Sequence, residues 1–289
     1  MDFSFAQKAQ VLSEALPYIQ KYNNKTVVVK YGGNAMINQD MKNAVISDCL
    51  LLKQVGVNVV LVHGGGPEIN DMLKKIGKDS YFINGLRHTD EETMNIVQMS
   101  LAGKVNKDLT AQFIQNGGKA IGICGMDGGL LEAVRLEDGE NDYGYVGDIE
   151  KVNIKVINDI INAGYIPVVA TVAVGKDGHS YNVNADTAAA KIAGALNAEK
   201  IILLTDTRGV LRDKDDENTL IQKIKTQEIH EYIEQGIIQG GMIPKLNCCL
   251  TAMSEGVKSA LITDGRVAHC ILIELFTEAG LGTMIYDEE

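Results

Sequence analysis

"KTVVVKYGGNAM", Lys25 to Met36, decides the fold. Three consecutive valines do not alternate with polar residues. The strand Thr26–Val29 therefore reads as buried on both faces, as in a parallel sheet covered by helices. It ends on Lys30, and after Tyr31 come Gly32 and Gly33. A turn stripped of side chains exposes backbone N–H groups that can gather round an anion. A charge delivered at the end of a buried strand, beside such a turn, points to a site at that sheet edge.

The same pattern continues along the chain. Val57–Val62, Ala120–Cys124, Ile166–Ala170, Lys200–Leu204 and Ser259–Thr263 read as strands, and Thr283–Tyr286 as a short last one. Helical periodicity predicts helices over Met41–Gln54, Glu68–Ile76, Ile154–Ala163, Ala185–Leu196, Met242–Glu255 and Ala268–Phe276. Thr89 with Glu92 predicts a capped helix reaching about Gln115. Leu130–Leu136 and Tyr145–Val152 look like a hairpin. The alternation predicts a mainly parallel sheet with helices on both faces. Ahead of it, residues 5–22 read as an amphipathic helix, with Phe5, Ala9, Leu12, Leu16 and Ile19 at helical spacing. Ser4 and Gln7 fit a capping box, and Pro17 predicts a kink. This helix has no obvious sheet to cover. It packs on its own subunit or serves as an arm to a partner.

In such sheets ligands sit beyond the carboxyl ends of the strands. Three more strand-end turns are glycine-rich: His63-Gly64-Gly65-Gly66, Gly125-Met126-Asp127-Gly128-Gly129 and Thr205-Asp206-Thr207-Arg208-Gly209. Tight packing of turn on helix is the plain alternative to anion binding. Gly240-Gly241-Met242-Ile243-Pro244-Lys245 places a lysine in the first turn of a helix, against the helix dipole, unless an anion binds there. Asp186 opens the alanine-rich helix from Ala185, a favourable place for a carboxylate. It is either a capping group or, set between two lysines, a group that orients both.

Composition narrows the function. The 289 residues carry a net charge of −11, which argues against bulk binding to nucleic acid or to an anionic membrane surface. Five cysteines without a C-x-x-C read as free thiols in a reducing cytosol rather than disulfides or a zinc site. No apolar run approaches the roughly 18 residues of a membrane span. Asp2, Gln7, Lys8 and Gln10 do not suit a signal peptide. The common nucleotide fingerprints are missing. Gly77-Lys78, Gly103-Lys104, Gly118-Lys119 and Gly175-Lys176 lack the following Ser or Thr of a P-loop, and no G-x-G-x-x-G occurs. The protein-kinase H-R-D and D-F-G are absent too.

Taken in order, Lys30-Tyr31-Gly32-Gly33, His63-Gly64-Gly65-Gly66, Gly85-Leu86-Arg87, Asn182-Val183-Asn184-Ala185-Asp186, Thr205 to Leu211 and Gly241 to Lys245 resemble the amino acid kinase family over nearly the whole chain. The resemblance implies an α/β fold, a three-layer αβα sandwich with a mainly parallel central sheet. It implies an N-lobe, about residues 23–175, that binds N-acetyl-L-glutamate, and a C-lobe, about 176–289, that binds ATP with Mg2+. The reaction it implies phosphorylates the side-chain carboxylate, on the route to arginine. By the same resemblance Lys30 and Lys245 stabilise the moving phosphoryl group and Asp186 orients them. Gly65, Gly66, Arg87 and Asn182 contact the amino acid. Gly32, Gly33 and Gly241 serve the phosphates. Asp206, Thr207, Arg208, Gly209, Val210 and Leu211, with Ile237 and Gln239, hold the rest of the nucleotide. The metal needs no protein ligand set, being held by the ATP phosphates.

Relatives in this family include aspartate kinase and glutamate 5-kinase, which often carry extra domains, and carbamate and uridylate kinases, which differ in the acceptor loops. Gly85-Leu86-Arg87 with the N-terminal helix favours acetylglutamate. A non-catalytic amino-acid-binding regulator on the same fold is the alternative outside the enzymes, and the presence of Lys30, Asp186 and Lys245 argues against it. Residues 1–22 resemble an arm that interlinks dimers into a hexamer, so a cytoplasmic homo-oligomer, dimer or hexamer, is expected. Glu274 and Gly280 match positions that contact an arginine effector, while Leu261 departs from the histidine expected beside them. His63 is expected to be a packed or backbone-bonded residue.

Overall fold

A computed structural model of the chain describes residues 4–36 and 38–287. In chain order its first half comprises α1 (Phe5–Glu14), α2 (Leu16–Tyr22), β1 (Thr26–Tyr31), α3 (Gln39–Gln54), β2 (Asn58–His63), α4 (Gly66–Lys75), β3 (Phe82–Ile83), β4 (Leu86–Arg87), α5 (Glu91–Gln98), α6 (Asn106–Gln115), β5 (Ala120–Cys124), β6 (Leu131–Arg135) and β7 (Gly147–Val152). The second half adds α7 (Lys155–Asn162), β8 (Ile166–Ala170), β9 (Val172–Val174), β10 (Ser180–Asn182), α8 (Ala185–Ala195), β11 (Lys200–Thr205), β12 (Lys223–Lys225), α9 (Ile229–Glu234), α10 (Met242–Ser254), β13 (Ser259–Asp264), α11 (Cys270–Phe276) and β14 (Thr283–Tyr286).

Eight strands form the central sheet in the order β12-β14-β13-β11-β1-β2-β8-β5. Only the β13–β14 pairing is antiparallel. The period-2 alternation of the strands sorts their side chains into two cores. Val28, Ile201, Leu203 and Ile262 pack with α7, α8 and α10 on one face. Val27, Val29, Ile202, Leu204 and Leu261 pack with α3, α6 and α11 on the other. The fold is the expected αβα sandwich. Strand order reverses at β1, which has β2 on one side and β11 on the other. Such a switch point opens a crevice at the strand carboxyl ends. Lys30 pairs there with Val62 and Leu203. It lies two residues beyond Val28, so it points to the α8 and α10 face.

A second sheet, β10-β9-β6-β7, contains the expected hairpin of β6 and β7, and β3–β4 forms a separate two-stranded ribbon. Its turn is Asn84-Gly85, with φ of 49° and 81°, the positive angles of a tight hairpin turn.

Two expectations need correction. The helix after β4 is capped by Asp90, whose carboxylate accepts from the Thr93 N–H at 2.8 Å, not by Thr89. It is also interrupted, because Met99–Val105 forms a π-helical turn between α5 and α6. Ahead of the sheet, the Ser4–Gln7 capping box is present, and the helix breaks at Ala15, just before Pro17 in the first turn of α2. None of the residues of α1 is buried within the chain.

Candidate active site

The crevice is built around one carboxylate. Asn184 caps α8, its Oδ1 accepting from the N–H groups of Asp186 and Thr187 at 2.9 and 3.1 Å. That fixes Asp186 in the first helical turn, only 9% exposed. Its Oδ1 lies 2.9 Å from Lys30 Nζ and its Oδ2 2.9 Å from Lys245 Nζ. One ammonium comes from the end of β1, the other from the first turn of α10. Burial by itself would raise the Asp186 pKa, but the charges of Lys30 and Lys245 outweigh it and hold the carboxyl below its ordinary value. The three groups form a net cation inside an acidic protein. The lysine that opposes the α10 dipole is thus offset by Asp186 as well as by any anion bound beside it.

Three cavities meet at this cluster. The largest, about 630 Å³, is walled by Asp206, Thr207, Gly209, Val210 and Leu211 on one side and Ile237, Gln239 and Gly241 on the other, with Lys245 at its end. A second, about 360 Å³, is lined by Lys30, Gly32, Gly33, Gly65, Gly66, Arg87, Asn182 and Asp186, again with Lys245. A third, about 300 Å³, joins them past Lys30, Gly32, Gly33, Asp206 and Lys245. Gly33 has φ of +65°, a conformation that penalises any residue with a Cβ.

Arg87 closes the second cavity. It is 7% exposed. It donates to Ser80 Oγ, to Asn70 Oδ1 at 2.6 Å and to the Gly66 carbonyl at 3.4 Å. All three acceptors are neutral, and burial alone pulls the guanidinium pKa down from its ordinary value. Phe82 stacks beneath it, 4.8 Å from ring centroid to Cζ. Among the described residues no carboxylate pairs with it, and a buried guanidinium of this kind can take a carboxylate from a ligand.

His63 is fully buried. Its Nδ1 donates to the Gly64 carbonyl at 2.8 Å, and its Nε2 accepts from Asn106 Nδ2 at 3.0 Å. Burial lowers its pKa to about 4, so the ring is neutral, with Nδ1 holding the glycine turn and Nε2 tied to α6. This is the packed histidine expected from the sequence.

Other residues fall elsewhere. Arg208 does not line the large cavity; its Nη1 donates to the Glu217 carbonyl at 3.3 Å. The Gly125–Gly129 turn is structural: Asp127 Oδ2 accepts from the Cys124 N–H at 2.7 Å, and the turn lines none of the three cavities. Glu274 Oε1 accepts from the N–H groups of Leu281 and Gly282 at 2.9 and 2.6 Å, which folds the loop containing Gly280 back on α11. Leu261 is 1% exposed in the core. Sequence reasoning missed Asn70 and Ser80, the braces of Arg87, and Arg212, Asp213 and Lys214 in the wall of the large cavity. Asn70 and Ser80 lie outside every motif. Only the N-G turn at Asn84-Gly85 could have announced the ribbon that brings Arg87 to them.

Comparison with known proteins gives the family. An acetylglutamate kinase of Clostridium kluyveri is 54% identical over 98% of this chain and 100% of its own length. One from Brachyspira hyodysenteriae is 53% identical over 99% of each chain. Among solved structures, an N-acetylglutamate synthase from Neisseria gonorrhoeae, complexed with coenzyme A and N-acetyl-glutamate, superposes with a TM-score of 0.84 at 27% identity. The match covers 99% of this chain but 64% of that longer one. Carbamate kinase from Giardia lamblia bound to AMP-PNP shares the fold, with a TM-score of 0.64 at 17% identity. The model of the amino acid kinase family matches residues 25–264, and the chain belongs to that family.

Proposed function

We propose that the protein transfers the terminal phosphoryl group of ATP to the side-chain carboxylate of N-acetyl-L-glutamate, a step on the route to arginine. The observation that carries this reading is Asp186 held between two ammonium groups where the cavities meet. The relatives at 53–54% identity point to the same acceptor.

A carboxylate acceptor, with a pKa near 4 in water, is already ionised at neutral pH. It needs no general base, and His63 supplies none. The barrier is repulsion between an anionic nucleophile and an anionic phosphate. Catalysis is then positioning plus positive charge along the line of transfer. An oxygen of the acceptor carboxylate attacks the terminal phosphorus, the bond to the bridging oxygen breaks, and ADP leaves with the electron pair. Lys30 and Lys245 neutralise the phosphoryl oxygens on the way, with Asp186 holding both in place. The amides of the Gly32–Gly33 and Gly65–Gly66 turns face the transferred group. Arg87 takes the remaining acceptor carboxylate and Asn182 its polar backbone. The nucleotide base and ribose occupy the 630 Å³ cavity between Asp206–Leu211 and Ile237–Gln239, with Gly241 toward the phosphates. Among the described residues no group of three or more His, Cys, Asp or Glu side chains could hold a metal. Magnesium enters as part of the nucleotide.

A coupled ADP-release assay with N-acetylglutamate, glutamate, aspartate and carbamate tests the reading. Turnover should be fastest with N-acetylglutamate, and preference for another acceptor would overturn it.

About residues 23–175 and 176–289 are assigned as acceptor and nucleotide lobes, with β1 as the seam and Asn182 and Asp186 reaching from the second lobe into the acceptor cavity. The bare apolar face of α1, where Phe5 and Leu12 are 91% and 75% exposed, supports an arm in a homo-oligomer, dimer or hexamer. Deleting residues 1–22 should lower the gel-filtration mass, and an unchanged mass would remove that role. Glu274 and Gly280 match the effector positions, while Leu261 stands where arginine-responsive relatives carry histidine; turnover measured with and without arginine decides whether it acts here. Five unpaired thiols suit the cytoplasm, and no described helix is long and apolar enough to cross a membrane.

A further inference from the structure

Arg87 and Asn182 stand far apart in sequence, yet one hydroxyl lies between them. Thr89 is fully buried. Its Oγ1 donates to the Arg87 carbonyl at 2.8 Å and accepts from Asn182 Nδ2 at 3.1 Å. A threonine hydroxyl owns a single proton. The Arg87 carbonyl can only accept, so it takes that proton. Thr89 then meets Asn182 as an acceptor alone. The Asn182 amide must turn its NH2 toward Thr89 and its Oδ1 away. The opposite orientation would set lone pairs against each other in a buried site, a loss of the size of an unmade hydrogen bond.

The backbone round this hydroxyl is closed as tightly. Thr89 N–H donates to the Tyr143 carbonyl at 3.0 Å, Tyr145 N–H donates to the Thr89 carbonyl at 2.6 Å, and Asn182 N–H donates to the Tyr145 carbonyl at 2.8 Å. Gly144 lies against Thr89 with φ of +71°, and a Cβ there would fall 2.2 Å from the Thr89 carbonyl oxygen. Three segments of the acceptor cavity are thus joined in one ring of hydrogen bonds, with Thr89 as the shared member.

We infer that Thr89 is a positioning residue for the acceptor: it fixes which way the Asn182 amide lies and registers it against Arg87. The inference rests on the assignment of Arg87 and Asn182 to the acceptor. Steady-state kinetics test it. Thr89→Val keeps the shape and removes the hydroxyl. The acceptor KM should rise about tenfold, while kcat and the ATP KM move less than about twofold, the signature of lost ground-state binding. Thr89→Ser should return the acceptor KM to within about twofold of the parent, since serine restores the same donor and acceptor. In an Asn182→Ala background Thr89→Val should cost less than about threefold, because two residues acting as a unit are not additive. Equal changes in both KM values, no rescue by serine, or the full tenfold loss without Asn182 would each overturn the inference. If Thr89→Val does not fold, as judged by its melting curve, Thr89→Ala is read in its place. If the parent protein prefers carbamate or another acceptor, the functional reading fails, and the same ratios measured on that acceptor still decide the role of Thr89.

Discussion

In the cavity proposed for the acceptor, Arg87 and Asp186 are 7% and 9% exposed, and each is held by neighbours on separate elements. Across Lys245, in the cavity proposed for the nucleotide, Asp206, Thr207, Arg212, Asp213 and Gln239 are exposed and lie over a buried floor of Thr205, Gly209 and Val210. One side is prearranged by buried polar side chains, while on the other most polar side chains are exposed on loops. A buried guanidinium must have partners before the substrate arrives, because an unpaired one is strongly unfavourable. Exposed side chains have no such requirement. Affinity there comes from shape and from backbone groups, so single side chains matter less. The difference predicts steep losses on one side and shallow ones on the other.

The seam between the two sides should show the largest effect. Lys30→Ala should lower kcat by roughly 10²–10³, the scale for one preorganised charge-stabilising group, with both KM values less affected. Near-normal turnover in a folded variant would remove Lys30 from the reaction. On the acceptor side, Arg87→Lys should raise the acceptor KM by roughly tenfold or more, because an ammonium cannot reproduce the guanidinium fork. The ATP KM should hardly move. An equal rise in both would erase the contrast between the cavities.

The glycine turn of the acceptor side carries a pH signature. His63 stays neutral in the fold down to about pH 4, whereas an exposed histidine takes up its proton near 6.5. The unfolded chain therefore binds the extra proton first, and this contribution to stability is lost as pH falls from about 6.5 toward 4. The slope is about 1.4 kcal/mol per pH unit. Denaturant unfolding of His63→Gln should show a shallower loss of stability than the parent over that window, and parallel profiles would contradict the buried neutral ring. The smallest effect belongs to the open side. Arg212→Ala, whose side chain rests 5.8 Å from the Tyr232 ring centroid at the cavity wall, should change any kinetic constant by about twofold at most, the scale of an exposed substitution. A tenfold rise in the ATP KM would show that the cleft is prearranged after all.

The sequence disclosed the fold wherever a strand was buried on both faces, since Val27–Val29 and Ile201–Leu204 carry no ambiguity of period. It disclosed Lys30, Asp186 and Lys245 because each breaks a local rule: a charge closing a buried strand, a carboxylate opening an alanine helix, a lysine against a dipole. It did not disclose the short strands β3, β4, β9, β10 and β12, whose two or three residues are too few to show a period. Thr89 was misread for a related reason. Thr89 and Asp90 are adjacent and both can cap a helix. Only the long-range pairing with Asn182 and Gly144 shows which of them is committed elsewhere. The braces Asn70 and Ser80 depend on how the β3–β4 ribbon folds over α4, a tertiary fact without a local signal.

A crystal structure with a bound ATP analogue and N-acetylglutamate would test the central claim most directly. The account predicts Lys30 Nζ and Lys245 Nζ on opposite sides of the terminal phosphoryl group, each within about 3.2 Å of one of its oxygens, the range of a charge-assisted hydrogen bond. Either amine standing well beyond contact range in a closed complex would contradict it.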